Sequence, residues 1–147
     1  MDELINQAHK LLASTIALYF KASVYHWNVE GRTFPQDHEF FGDFYADVYG
    51  SVDGLAEHVR QLGAYTPSTL TRIEELSEQT PTQTMPMDAS SMYRDLLTNN
   101  SIYLNKLLEL YNAAERYSQI GLSNFLQGRL EVHRKHDWML KSVLRGQ

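Results

Sequence analysis

Apolar and small residues return every three or four positions along the start of the chain, at Leu4, Ala8, Leu11, Thr15, Tyr19 and Ala22. That spacing places them on one face of a helix turning about 100° per residue. Residues 2–30 contain neither Pro nor Gly, so the pattern predicts one long amphipathic helix over that span. One more step of four along the stripe reaches His26, which puts a histidine on the packed side. Gly31 is a natural stop, and Thr33, Phe34 and Pro35 restart the chain, since Pro fits the first turn of a helix. A second helix is predicted from about 36 to 62, with Phe41, Tyr45, Val48, Val52, Leu55, Val59 and Leu62 as its core stripe and Gly63 after it. Two helices of similar length joined by a tight turn form an antiparallel pair.

The pattern then weakens. Residues 64–87 carry Pro67, Pro81 and Pro86 among many Thr, Ser and Gln, with one short amphipathic run over 68–76. Such a segment is too long for a simple turn and reads as a crossover bearing a small helix. A third long helix is predicted over 89–117, through Met92, Leu96, Tyr103, Leu107, Tyr111 and Ala114. A fourth follows over 120–144, through Phe125, Leu130, His133, Leu140 and Leu144. The expected fold class is all-α: a single domain over 1–147, built as a four-helix bundle with one long crossover between its second and third helices.

Composition narrows the chemistry. A chain of 147 residues is large enough for one self-sufficient core. The absence of cysteine excludes disulfides, thiolate zinc sites and iron–sulfur clusters, so any metal must be held by imidazole and carboxylate. A formal charge of −5 disfavours a surface built for phosphate, and neither end carries a Lys/Arg tail. No stretch is apolar for the roughly 18 to 20 residues a membrane span needs, and the acidic start at Asp2 and Glu3 is unlike a signal peptide. A cytoplasmic protein with no membrane partner is expected.

Against that background His26, His38, Asp53 and Glu57 stand out. On the second helix His38, Gly42, Asp53 and Glu57 share an arc of about 100° beside the core stripe. The same flank carries Ala46, Gly50 and Gly54, small residues that suggest close approach by another helix. In a hairpin turning near Arg32 and Thr33, His26 lies level with about position 39, which makes His26 and His38 neighbours. Asp53 and Glu57 lie roughly 22 to 28 Å further along at 1.5 Å per residue. No single chain can wrap both pairs around one ion. A second copy packed antiparallel across a two-fold axis brings the histidines of one chain to the acids of the other, giving two equivalent sites per dimer. Two imidazoles and two carboxylates suit Fe(II), Mn(II) or Zn(II).

Each residue also has an ordinary reading. His26 alone is a hydrogen-bonded core histidine, His38 a capping residue near a helix start, and Asp53 with Glu57 a solvated face. Trp27 suits either core packing or a place beside a redox centre. His9, His58, His133 and His136 read as structural or exposed.

Taken together, these residues resemble the Dps family, the miniferritins named as DNA-binding proteins from starved cells. The resemblance rests on Tyr25, His26, Trp27, Asn28, Val29, Glu30 and Gly31; on Phe34, His38, Phe41 and Tyr45; on Asp53, Gly54, Leu55, Ala56, Glu57, Arg60, Leu62 and Gly63; and on His133, Arg134, Lys135, His136, Trp138, Met139 and Leu140. It implies a ferritin-like fold and a homo-oligomer of two-fold dimers assembled into a dodecameric shell. It further implies ferroxidase sites between subunits, which oxidise Fe(II) with hydrogen peroxide or dioxygen and feed a stored Fe(III) mineral, with one or two ions per site and Zn or Mn as substitutes. His26 and His38 from one subunit, with Asp53 and Glu57 from its partner, are the implied catalytic metal ligands, and Trp27 matches the aromatic beside the site. Two features depart from the family. Gly42 stands where the family usually has Asp, with Asp43 one position along, which points to weakened oxidation at a second metal position. The Lys-rich tail with which some members bind DNA is missing, so protection by removing iron and peroxide is favoured over coating of DNA. The alternative is a shell with reduced or no ferroxidase activity that shields DNA or carries another divalent metal.

Overall fold

The computed structural model describes residues 1–146. They form six helices and no strand: α1 Asp2–Asn28, α2 Phe34–Gly50, α3 Val52–Gln61, α4 Leu70–Leu76, α5 Ala89–Arg116 and α6 Ile120–Leu144. α1 packs along α2 and along α5, and α5 packs along α6. The second arm of the expected bundle is therefore made of α2 and α3. Among the described residues no helix is long and apolar enough to cross a membrane.

The predicted stripes line the core. Leu4, Ala8, Leu11, Ala22, Phe41, Val48, Leu55, Val59, Met92, Leu96, Tyr103, Leu107 and Leu140 are buried. Each of the larger side chains among them contributes about 1.5–3 kcal/mol through removal from water. α1 ends at Asn28 because Val29 turns extended, and Gly31, at φ +122°, takes a conformation open to glycine in the turn that follows.

The continuous helix expected over 36–62 is divided at Ser51. Its hydroxyl donates to the Val48 carbonyl at 2.6 Å, and its amide reaches the same carbonyl at 3.1 Å. A serine competing for a backbone acceptor in this way interrupts the regular ladder. The crossover helix is also shorter than the run over 68–76, because the Thr69 hydroxyl accepts the Arg72 amide at 3.1 Å and so caps a helix beginning at Leu70.

Buried polar groups tie the crossover to the bundle. The Asn99 side chain accepts the Thr80 amide at 2.9 Å and donates to the Thr80 hydroxyl at 2.9 Å, while Ser14 accepts the Glu78 amide at 3.0 Å. Between α1 and α4 lies an open cavity of about 730 Å³, bordered by Ile16, Phe20, Leu70 and Ile73.

Candidate metal centre

The turn after α1 folds α2 back so that His26 and His38 lie face to face. Their rings stack with centroids 3.8 Å apart and planes at 14°. His26 Nδ1 bonds the backbone carbonyl of His38 at 2.6 Å, and His38 Nδ1 bonds that of His26 at 2.7 Å. A carbonyl can only accept, so each Nδ1 carries a hydrogen, and the neutral form of each ring has its lone pair on Nε2. Neither Nε2 has a hydrogen-bond partner among the described residues. Phe34 stacks on the outer side of His38 at 5.1 Å, and Tyr45 tilts against His26 at 5.4 Å. Two fixed imidazoles therefore offer free nitrogens from one place on the hairpin.

The neighbouring acids differ sharply in what they can do. Asp37 is buried and already engaged, accepting from the Thr33 hydroxyl at 2.6 Å and the Tyr93 phenol at 2.7 Å. Burial and that carboxylate together push the Tyr93 phenol far above its ordinary range. Asp43 is exposed and forms no ligand group with the histidine pair. Asp53 and Glu57 lie one turn apart on α3, both exposed and without a hydrogen bond or ion pair among the described residues. Among the described residues no three potential ligands come together in one chain, so the four predicted residues stand as a histidine pair on the α1–α2 hairpin and an acid pair on α3.

The small flank of the second arm has a reason inside the chain at two of its four positions. A β-carbon on Gly42 would lie 2.9 Å from ring atoms of His26, and one on Gly54 would lie 2.9 Å from the Phe125 ring. Gly50 faces open space and Ala46 is exposed. The expected close approach of another helix is therefore met inside the chain at Gly42, against α1, and at Gly54, against α6, while Gly50 and Ala46 are left open to a second copy.

Trp27 is 62% exposed, meeting Phe20 edge-on at 6.4 Å, which rules out its packing in this chain's core. His9 contacts the Tyr65 carbonyl at 2.7 Å. His58 rests on Phe125 at 5.2 Å, and burial lowers its pKa against the opposing pull of Glu57.

A second polar group lies within the bundle. Arg129 makes two bonds to Asp47, at 3.1 and 2.9 Å, and His136 Nε2 meets the same carboxylate at 2.7 Å. Fully buried His133 bonds Asn100 Oδ1 through Nδ1 at 2.7 Å and faces the Arg129 guanidinium through Nε2 at 3.1 Å. Burial would raise the Asp47 pKa, but His136 and Arg129 overcome it and hold the carboxyl far below its usual range. His133 was legible as a stripe residue of the fourth helix. Asp47 and Arg129 were not, because they lie 82 residues apart and neither has an unusual neighbour in sequence.

Comparison with known proteins identifies the family and the fold. Residues 5–146 match the family model described as a ferritin-like domain. The chain is 28% identical over 149 residues to general stress protein 20U of Bacillus subtilis, covering 97% of this chain and 98% of that protein. It is 27% identical over 137 residues to the DNA protection during starvation protein of Helicobacter pylori, covering 91% and 93% of the two. Among solved structures, the Dps protein of Vibrio cholerae O1, described as a member of a broad superfamily of ferritin-like diiron-carboxylate proteins, matches with a TM-score of 0.92 at 26% identity, over 98% of this chain and 90% of that one.

Proposed function

This chain belongs to the ferritin-like domain family, and on that premise we propose that it is a ferroxidase and iron-storage protein of Dps type, working as a shell of two-fold dimers. Fe(II) is the substrate. His26 and His38 of one subunit bind it together with Asp53 and Glu57 of the partner, and two Fe(II) ions give up one electron each to a molecule of hydrogen peroxide. The Fe(III) product is stored, which removes both iron and peroxide from reach of other molecules. Binding by mixed imidazole and carboxylate suits iron in both states, since carboxylate favours the more highly charged product.

One observation carries this reading. The reciprocal backbone bonds of the histidine pair fix both tautomers and leave both Nε2 lone pairs without a partner in the chain, while the acids that would complete the site are equally unpaired on another helix. The exposed Phe20 and Leu70 beside the α1–α4 cavity support contact with a second subunit. A shell that holds a divalent metal and oxidises it slowly is the second reading, favoured by Gly42 in place of a further carboxylate.

The test uses mixed assemblies. One variant lacks the histidines (His26→Ala with His38→Ala) and the other lacks the acids (Asp53→Asn with Glu57→Gln). Each alone is expected to be inactive when peroxide is added to anaerobic Fe(II) and ferric absorbance is followed. Unfolded and reassembled at equal amounts, they should recover about a quarter of the parent rate, because half the dimers are mixed and each mixed dimer holds one complete site of two. No recovery, with mixed dimers demonstrated, would defeat the shared site; no accelerated oxidation by the parent would defeat the enzyme.

A further inference from the structure

We propose that Gly42 is a positioning residue, whose missing side chain forms the seat in which the His26 ring lies. The inference rests on the reading of His26 as a ligand and concerns how this chain holds it. A β-carbon at position 42 would stand 2.9 Å from both Cε1 and Nδ1 of His26, closer than real β-carbons come to other atoms. The obstacle is a constrained ring rather than a flexible chain end. It is held by the Nδ1 bond to the His38 carbonyl at 2.6 Å, by the stack on His38 at 3.8 Å and by Tyr45 at 5.4 Å. Moving it far enough to admit a methyl group lengthens the bond that fixes its tautomer, and with it the assignment of the lone pair to Nε2.

The position is also an unfavourable place for glycine on other grounds. Gly42 lies inside α2, where Ala is the better helix former. Gly50, at the end of the same helix, would meet nothing within 4 Å if it carried a β-carbon. Of the two glycines of this helix, only Gly42 has an imidazole in the space a side chain would take.

The consequence runs against simple ligand counting. An aspartate at position 42 adds a carboxylate beside the histidine pair, and by chemistry alone should strengthen metal binding. Here it takes the space of a ligand already present. Gly42→Asp and Gly42→Ala are both expected to weaken binding of Co(II), used as a spectroscopic probe, at least about tenfold, with no second ion gained per site. Gly128→Ala, inside α6 where a β-carbon meets nothing within 4 Å, is expected to leave binding unchanged.

A metal-free cycle tests the seat itself. In the parent background Gly42→Ala should lower the urea midpoint. In a His26→Ala background, where the ring is gone, the same substitution should raise it through helix propensity. The double variant also covers the case in which Gly42→Ala alone does not fold, since rescue by His26→Ala is then the expected result. Equal effects in the two backgrounds, or Gly42→Asp binding a second Co(II) without loss of affinity, would overturn the proposal. Failure of the parent to bind Co(II) would count against the metal site, while the stability cycle would still decide whether Gly42 seats the ring.

Discussion

The molecule holds two groups of histidines, and they differ at one nitrogen. Inside the bundle His133 carries its hydrogen on Nδ1, bonded to Asn100, and its Nε2 faces the guanidinium of Arg129. On the α1–α2 hairpin His26 and His38 are fixed through Nδ1 in the same way, but their Nε2 atoms have no hydrogen-bond partner among the described residues. The bundle group also has its carboxylate, Asp47, yet Arg129 occupies the cationic place beside it. A half-buried guanidinium paired in this way takes the place beside Asp47 that a metal cation would need. Histidine and carboxylate together therefore do not make a metal site. A metal also needs a ring nitrogen that no other group has taken.

The largest way to break the comparison is to remove Arg129. Arg129→Met keeps most of the apolar volume, but strands Asp47 with only His136 and leaves His133 Nε2 unpaired. We expect a loss of about 3 kcal/mol in urea unfolding, the lower end of the penalty for breaking a buried pair, because Asp47 keeps 29% exposure. Oxidation per assembled site should be unchanged. A variant as stable as the parent would show that the pair contributes nothing.

Acid should act next most strongly, and on the same group. Burial, with the charges of Arg129 and His136 adding to it and Asp47 opposing, holds the folded His133 well below its ordinary pKa. Tyr103 and Phe44 also face the ring, at 4.6 and 6.4 Å. Above pH about 6.5 His133 is neutral folded or unfolded, and its contribution is fully present. As pH falls below that value the unfolded chain takes up a proton that the folded chain refuses, so stability drops by up to about 1.4 kcal/mol per pH unit. Asp47, whose folded pKa is depressed, adds its own loss only below the ordinary carboxylate range. The urea midpoint should be flat from pH 8 to 7 and fall between about 6.5 and 5, with a shallower fall in His133→Asn. Equal slopes would assign the loss to other groups.

These contrasts also show what the sequence could reveal. Periodicity alone marked α1, α5 and α6 to within two residues at each end, because long helices repeat one signal many times. It missed the break at Ser51, where a single hydroxyl outcompetes the local helical pattern. The pairing of His26 with His38 followed from counting back from the turn near Arg32 and Thr33, since an antiparallel hairpin fixes which residues are level. Which atoms of those rings are free did not follow, because the reciprocal carbonyl bonds depend on ring orientation. Gly42 was visible as a missing carboxylate, whereas its contact with the His26 ring required coordinates. The Arg129–Asp47 pair was illegible for a simpler reason, as charges on different helices leave no periodic trace.

The smallest expected effect concerns the acids. Asp53 and Glu57 are exposed and unpaired in the chain, so neutralising them should scarcely alter the stability of the metal-free protein. Asp53 lies in the first turn of α3, where its charge favours the helix by about 0.3–1 kcal/mol. Its like-charged neighbour one turn on opposes it by about 0.2–0.5 kcal/mol. Asp53→Asn with Glu57→Gln should therefore change metal-free unfolding by less than about 1 kcal/mol. The difference should appear only with ligand present. Zn(II) at a hundred times its dissociation constant stabilises a binding protein by about 2.7 kcal/mol, and this gain should be seen in the parent and lost in the double variant. If the double variant unfolds far more easily without metal, the acids are structural and the open group resembles the closed one. If it keeps the Zn(II) gain, the lone pairs of His26 and His38 find their ion without Asp53 and Glu57, and the partner's acids are not part of the site.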